Sequence, residues 1–155
     1  MAETSLLLPD PEDPDNAPFW AATARGELRI QRCAGCGRRR MPPRPMCPSC
    51  RSLAHEWEEV SGRGTIWSFV VPHPPLLPAY AEVAPYNVVL VELEEEPSIR
   101  LVGNLVESAD APLDGVDPHS IEIGEKVRVV FSEVGDVRLP RWVRDGPALP
   151  VRGSP

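Results

Sequence analysis

Two Cys-x-x-Cys pairs constrain this chain more than any other feature of its sequence. They comprise Cys33, Cys36, Cys47 and Cys50, which are all the cysteines of the 155 residues, and ten residues separate the pairs. Each Cys-x-x-Cys pair forms a tight turn, or knuckle, that points two thiolates at one ion, and the second knuckle completes a tetrahedron of four sulfurs. The spacing therefore predicts a closed, structural four-cysteine zinc (Zn2+) site, although iron fits the same sulfurs.

Two disulfides are the alternative interpretation of these cysteines. The sequence shows no secretory start and no apolar stretch long enough to cross a bilayer, so we expect a cytoplasmic protein with no membrane association. Thiols stay reduced in that compartment, which favours the metal over disulfides. A redox role is also disfavoured, because two adjacent Cys-x-x-Cys copies saturate one ion and leave no resolving thiol.

Twenty prolines among 155 residues predict short elements joined by stiff connections, and mostly β structure. Asp15 or Asn16 as N-cap, Pro18 in the first turn and Gly26 as a stop predict a short helix near residues 17 to 25. Alternating hydrophobicity predicts strands after it. These strands are 27–33 and 55–60 around the knuckles, then 65–71, 86–93, 99–106, 126–134 and, with the weakest signal, 137–143.

Five short strands after the cysteines fit a small closed OB-type barrel better than a sandwich, which needs about seven. The predicted organisation has a disordered or extended N-terminal arm (1–16), a helix with a rubredoxin-like zinc ribbon (17–60), a five-stranded OB-fold barrel (61–145) and a flexible tail (146–155). Gly103 is expected to mark a bulge or tight bend of the barrel. The four tryptophans are mostly core candidates. They are Trp20, Trp57, Trp67 and Trp142.

The charge is uneven along the chain. The net charge is −7, yet residues 25 to 63 hold nine arginines against four acidic residues. The arginines nearest the cysteines either compensate the charge of a thiolate cluster or contact an anion, such as the phosphates of coenzyme A or a nucleic-acid backbone. These arginines are Arg38, Arg39, Arg40 and Arg44.

A proline-rich loop, residues 72–86, separates two strong strands and carries Leu76, Leu77 and Tyr80. Adjacent exposed apolar side chains are unusual on a monomer, so the loop either folds back over its own barrel or binds a partner. We favour the partner, with Phe19 and Trp20 of the first helix as further docking candidates.

The sequence contains no recognisable catalytic set. Its three histidines, His55, His73 and His119, have no serine or cysteine nucleophile in a known arrangement beside them. We therefore expect no turnover by the chain alone. A nucleic-acid-binding module is the second class of function, but from Gly64 onward fourteen carboxylates face seven cations, which disfavours a polyanion.

Segments in order from about Phe19 to Trp142 resemble the acyl-CoA-associated OB-fold family that carries a rubredoxin-like zinc ribbon. They are "FW", "GELRIQRCAGCG", "PPRPMCPSC", "WEEVSGRGTIWSFVV", "VVLVEL", "RLVGNLV" and "IGEKVRVVF". The resemblance implies a non-catalytic companion of a thiolase-superfamily enzyme, as a heterotetramer or larger hetero-oligomer with a CoA thioester at or near the interface. It also implies retro-aldol cleavage of a steroid side-chain CoA ester, with thiolytic or condensing chemistry as the second choice. The hydratase-like domain of some members has no counterpart in these residues.

Overall fold

The computed structural model describes residues 6–146. Residues 1–5 of the predicted arm and 147–155 of the predicted tail lie outside the described residues. Two α-helices, α1 (Ala17–Ala24) and α2 (Pro78–Ala81), and one 3-10 helix (Pro118–Ser120) accompany eight strands. The strands are β1 Arg29–Cys33, β2 Arg39–Arg40, β3 His55–Glu59, β4 Arg63–Val70, β5 Val88–Leu93, β6 Arg100–Gly103, β7 Lys126–Val134 and β8 Val137–Arg144. The predicted mostly-β fold is confirmed.

The first helix forms where its boundary residues predict it. Pro18 lies in the first turn, and Gly26, with φ of +77°, ends the helix in a conformation that glycine adopts without strain. Asn16 occupies the N-cap position, but its side chain donates to Asp13 Oδ2 at 2.7 Å instead of accepting from the helix. Phe19 points from α1 into the main core.

The ribbon is a three-stranded antiparallel sheet in the order β2-β1-β3. Its central strand carries the buried Gln31, whose Oε1 accepts from the backbone N–H of Arg44 at 2.9 Å and from Nε of Arg40. Arg40 Nη2 in turn donates to the carbonyl of Arg44 at 3.1 Å. This network holds the loop between the two knuckles against the sheet.

The barrel is a five-stranded sheet in the order β6-β5-β4-β7-β8, curled so that its ends approach each other. Residues just beyond β6 close the gap by pairing with β8 in parallel: the Trp142 N–H donates to Asn104 O at 2.9 Å, and the Val106 N–H donates to Trp142 O at 2.8 Å. The fully buried Trp142 fills the interior. The third predicted barrel strand therefore ends earlier, at Gly103, because residues 104–106 leave β5 for β8.

Gly103 is needed for close packing and not for a bulge. A Cβ at this position would lie 2.9 Å from the indole of Trp142, closer than side chains approach each other. The register shift of the sheet falls instead on β4, between Ile66 and Ser68. Of the two expectations for Gly103, a bulge or a tight bend, the bulge is wrong, whereas the chain does leave β5 for β8 directly after this residue. The bulge in β4 was not predicted.

Two hydrophobic clusters stabilise the barrel. The larger fills the interior and includes Ile66, Val91, Val127 and Trp142. The smaller lies outside the sheet, where Tyr86, Val106, Leu113 and Val143 pack with side chains from the proline-rich loop. None of the helices in residues 6–146 is long and apolar enough to cross a membrane.

Asn87 fixes the point where the sheet begins to close. Its buried side chain donates to Leu105 O at 2.9 Å and accepts from the Leu105 N–H at 2.7 Å. Asn87→Ala leaves the N–H and the carbonyl of Leu105 buried and without these hydrogen bonds. We therefore expect the free energy of unfolding, measured by urea denaturation, to fall by about 2–4 kcal/mol. Asn104→Ala is the matched control, because its side chain makes one bond, to Asn87 O. It should cost about 1 kcal/mol, and equal losses for the two variants would contradict this role of Asn87.

Candidate functional site

The four cysteine sulfurs meet at one corner of the ribbon. All four Sγ atoms lie within 4.8 Å of one another, with 3.5 Å between Cys33 and Cys50 and 3.7 Å between Cys36 and Cys47. Sulfurs bound to one zinc ion at about 2.3 Å form a tetrahedron with edges of about 3.8 Å. The observed separations fit that tetrahedron, so these residues can hold a metal ion.

The two knuckles have the same backbone geometry. The N–H of Gly37 donates to Cys33 O, and the N–H of Arg51 donates to Cys47 O, both at 2.9 Å. Both donors have positive φ, +75° and +61°. Glycine adopts that conformation freely, which made Gly37 predictable from sequence. Arg51 occupies the equivalent position without any sequence signal, because only the metal-binding geometry requires it there.

Neighbouring groups shift the thiol pKa values in opposite directions. The backbone N–H groups of Cys36 and Gly35 lower the pKa of Cys33 to about 6, and those of Cys50 and Ser49 lower the pKa of Cys47. The N–H of Ser52 also favours the thiolate of Cys50, but the adjacent sulfurs, Cys33 first, raise the pKa of Cys50 to about 11. Four thiolates this close therefore need a cation among them to be ionised together.

The four arginines predicted to form a patch do not form one continuous surface. Arg38 donates to Ser49 Oγ in the second knuckle, while Arg44 is exposed. Arg40 is buried within the ribbon. Arg39 pairs with Glu58 at 2.7 Å, and this pairing lowers the pKa of the Glu58 carboxyl. Arg38 and Arg39 line one surface pocket, but Arg39 is already paired with Glu58, so Arg38 and Arg44 are the exposed arginines of the four with no ion pair among the described residues.

Arg39 also connects the ribbon to the barrel. Its Nη1 donates to the carbonyl of Glu95, in the turn between β5 and β6, at 3.0 Å. The Glu95 carboxylate accepts from the N–H of Ser61, at the junction of ribbon and barrel, at 2.6 Å. One turn of the barrel is therefore bonded both to a ribbon strand and to the connecting segment.

The proline-rich loop combines both arrangements considered for it. Leu76 and Tyr80 are half-buried in the smaller cluster of their own barrel, where the ring of Tyr80 lies 5.9 Å from that of Tyr86. Leu77 points outward with 57% of its surface exposed. The loop thus folds back on the barrel and presents one apolar side chain to the outside.

The first helix presents Trp20 and not Phe19. Phe19 is buried in the core and packs edge-to-face with Trp20, with 4.9 Å between ring centroids. Trp20 is half-buried and lines a groove between α1 and the β7–β8 hairpin, with Ala21 and Val137 among its other walls.

Trp67 does not belong to the core. Its exposed fraction is 45%, whereas Trp142 is fully buried and Trp20 and Trp57 are half-buried against the core. Its ring lies on the exposed face of β4, where the guanidinium of Arg100 lies 3.8 Å from the ring centroid. The core prediction for Trp67 is therefore wrong, because its neighbour Ile66 takes the inward position at this point of β4.

Comparison with protein families divides the chain between two models. One, described as the rubredoxin-like zinc ribbon domain of ChsH2, matches residues 20–56. The other, described as the C-terminal OB-fold domain of ChsH2, matches residues 57–132. Together they cover the cysteine site and the barrel up to the middle of β7.

Three relatives illustrate the range of similar proteins. A probable enoyl-CoA hydratase alpha subunit of Thermomonospora curvata is 43% identical over 141 residues, which are 90% of this chain and 40% of the relative. The 3-oxo-4,17-pregnadiene-20-carboxyl-CoA hydratase alpha subunit of Mycobacterium tuberculosis is 38% identical over 84% of this chain and 38% of the relative. The chain thus spans about two fifths of these two proteins. A DUF35 domain-containing scaffold protein of Methanothermobacter thermautotrophicus is 37% identical over 71% of this chain and 75% of the relative.

A solved structure matches nearly the whole fold. A chain from the structure described as the Ltp2-ChsH2(DUF35) aldolase superposes with a TM-score of 0.74 at 38% identity. The match covers 88% of the present chain and 98% of that chain.

Proposed function

Since this chain belongs to the ChsH2 family of zinc-ribbon and OB-fold proteins, we propose that it is a non-catalytic accessory subunit of a thiolase-fold enzyme acting on a CoA thioester. The observation that carries this proposal is the structural match to a chain of the Ltp2-ChsH2(DUF35) aldolase, a structure described by two component names. The match covers 98% of that chain. The relatives described as scaffold proteins support a role in assembly.

The side chains of this protein support the same conclusion. Breaking or forming a carbon-carbon bond at a CoA thioester needs a base near the reacting carbon and hydrogen-bond donors aimed at the thioester oxygen. Within residues 6–146, the rings of His55, His73 and His119 are all exposed, and His55 bonds only to the carbonyl of Leu53. The partner enzyme would supply the catalytic groups.

We favour retro-aldol cleavage of a steroid side-chain CoA ester as the reaction of the complex. The description of one similar structure as an aldolase supports the reaction type. The name of the mycobacterial relative, which specifies a pregnadiene carboxyl-CoA, supports the substrate class. Thiolytic or condensing chemistry is the second choice.

The proposed metal is zinc, with Cys33, Cys36, Cys47 and Cys50 as its ligands. The sulfur separations fit it, and the family model for this segment is a zinc ribbon. Four protein ligands leave no open position on the ion, so the metal would stabilise the fold and would not act on substrate. Elemental analysis of freshly purified protein distinguishes zinc from iron.

We propose that the docking surface includes Leu77, Trp20 and the exposed arginines Arg38 and Arg44. Stable association needs more than about 1,000 Å² of buried surface, and aromatic or aliphatic anchors usually contribute most of its energy. Leu76 and Tyr80 would then support Leu77 from beneath, because they hold the loop on the barrel.

Leu77→Asp should weaken binding to the partner enzyme by about tenfold or more, because it places a charge in the contact surface. Sedimentation or calorimetry with a candidate thiolase-superfamily enzyme measures the dissociation constant. Ile123→Asp is the matched control, since Ile123 is also exposed but lies in the turn before β7. Unchanged affinity in Leu77→Asp would remove the loop from the interface, and no association of the unaltered chain with any thiolase-fold enzyme would end the proposal itself.

A further inference from the structure

A groove of about 610 Å³ runs between α1 and the β7–β8 hairpin. Its walls come from α1 with Trp20, from the hairpin with Val137 and from the N-terminal arm with Pro11. The arm touches the hairpin, because the side chain of Leu8 lies 2.8 Å from the place that a Cβ on Gly135 would take. Ligand pockets usually measure about 300–1,000 Å³, so this groove has room for an occupant.

The helix that forms one wall has no polar outer face. Its sequence, APFWAATA, contains no charged residue, and the buried Thr23 donates its hydroxyl to Trp20 O at 3.0 Å. Ala21 and Ala24 are exposed and line the groove beside Trp20. A surface helix normally presents charged or polar side chains to water, and a helix that is apolar all round is normally buried. We therefore expect another group to cover the outer face of α1.

The rim of the groove is acidic. Glu12, Glu133 and Asp136 lie along it, and Arg138 is the one cation among the residues that line it. Arg138 is already paired with Glu133 at 2.7 Å. Glu12 and Asp136 are exposed and take part in no ion pair within residues 6–146. The lining therefore carries two uncompensated negative charges, one on the arm and one at the tip of the hairpin.

The polar groups of the groove lie only at its rim. The four charged side chains that line it are exposed or half-buried, and the walls between them are apolar. Small-ligand sites instead place a few polar groups inside the pocket, where they orient the ligand. A lysine or arginine of another protein fits this groove better, because its methylene stem can lie along apolar surface while its charge stays at the rim. The indole of Trp20 attracts a cation as well.

The remaining parts of this sequence are a poor source of that cation. Residues 1–5 contain a glutamate and no lysine or arginine, and residues 147–155 contain only Arg152. The described chain leaves β8 after Arg144, whereas the groove lies beside Val137 at the other end of this strand. Eight strand residues span about 25 Å. These facts favour a second protein as the occupant.

We propose that this groove binds a segment of the thiolase-fold enzyme in which a lysine or arginine accompanies an apolar side chain. The apolar side chain covers the outer face of α1, and the cation pairs with Asp136 or Glu12. The identity of the partner rests on the proposed function, whereas the chemistry of the segment rests on the groove. The groove adds an acidic contact to a docking surface whose other exposed charges, Arg38 and Arg44, are basic.

Ala21→Arg tests the groove, because the new side chain fills it and brings a positive charge to its rim. It should raise the dissociation constant of the complex with a candidate thiolase-fold enzyme by about tenfold or more, since it excludes and repels the cationic segment. Calorimetry measures the constant. Ser108→Arg is the matched control, because it adds the same charge at an exposed position between β6 and β7. It should leave the constant unchanged.

Asp136→Lys tests the ion pair. It should raise the dissociation constant by about tenfold and make the constant less sensitive to sodium chloride, since salt screens the attraction that is lost. Asp114→Lys is the matched control, because Asp114 is also exposed and also takes part in no ion pair within residues 6–146. It changes the net charge equally and should change neither the affinity nor its salt dependence.

The outcomes separate the groove from the proposed function. An unchanged dissociation constant in either Ala21→Arg or Asp136→Lys overturns the groove and leaves the proposed function in place. No association of the unaltered chain with the enzyme would end the proposed function, and the groove proposal with it. Both variants should keep the melting temperature of the unaltered chain, because both positions are exposed.

Two further results would assign the groove to another occupant, and either overturns the proposal. If a second copy fills it, sedimentation should show a dimer of the unaltered chain that Ala21→Arg dissociates. If residues 147–155 fill it, Ala21→Arg and removal of those residues should lower the melting temperature equally.

Discussion

Cys47→Ser should unfold the ribbon and abolish stoichiometric metal binding. Cys47 is fully buried and supplies one of the four clustered sulfurs, and binding of a structural zinc ion contributes about 10–16 kcal/mol to folding. That contribution is comparable to the whole stability of an ordinary domain, about 5–15 kcal/mol. Elemental analysis should show about one zinc per chain before the substitution and almost none after it, and NMR should show loss of amide dispersion across β1 to β3.

Ser49→Ala is the matched control for this experiment. Ser49 lies in the same knuckle and accepts a hydrogen bond from Arg38, but it offers no ligand to the metal. Its metal content and melting temperature should stay close to those of the unaltered chain. Freshly prepared protein that contains no metal and yet has a folded ribbon would contradict the assignment.

The metal should also be lost on acidification. Thiols must lose their protons to bind, so protons compete with the ion, and the competition is strongest at Cys50, whose pKa is raised to about 11 when no cation is present. Zinc release from the unaltered chain, followed with a chelator, should therefore be faster at lower pH.

The second large effect concerns activity. We expect a mixture of this chain with the proposed thiolase-fold partner to cleave the proposed CoA ester about 100-fold faster than either protein alone. Misplacing a substrate by about 1 Å can cost that much, and we propose that the accessory subunit orders the substrate channel of the enzyme. Initial rates of product formation, measured for each protein alone and for the mixture, test this expectation.

Two outcomes of the reconstitution would contradict the accessory role. Full activity of the partner alone would show that this chain is not required. Activity of this chain alone would reveal a catalytic site that the described residues do not suggest. Leu77→Asp serves as an internal control. If the substitution weakens binding and leaves the chemistry unchanged, an excess of the Leu77→Asp chain over the enzyme should restore the rate of the mixture.

The metal site and the strand pattern could be predicted because both depend on local spacing. The spacing of the cysteines brings four sulfurs together independently of the remaining fold. Five segments of alternating hydrophobicity were sufficient to predict a curled five-stranded sheet. The left-handed conformation of Arg51 was not predictable, since its residue type does not favour it. Only the completed knuckle imposes it.

The surface features were harder to predict because tertiary contacts decide them. Arg39 and Arg40 look alike in the sequence, yet one bonds to Glu58 and the other lies buried against Gln31. Ile66 and Trp67 are adjacent apolar residues of one strand, yet the structure buries Ile66 and leaves Trp67 exposed. Nothing in the local sequence separates the buried Arg141 of β8 from the paired arginines on either side.

The bond between Arg39 and the Glu95 carbonyl limits how this protein can be re-engineered. A chimera that takes residues 17–60 from a relative would keep the cysteines but would also have to bring a guanidinium to the position of Arg39. The recipient barrel would have to present an unpaired carbonyl at the tip of its β5–β6 turn. Grafts that keep this contact across the junction should therefore be more stable than grafts that lose it, by about 1 kcal/mol.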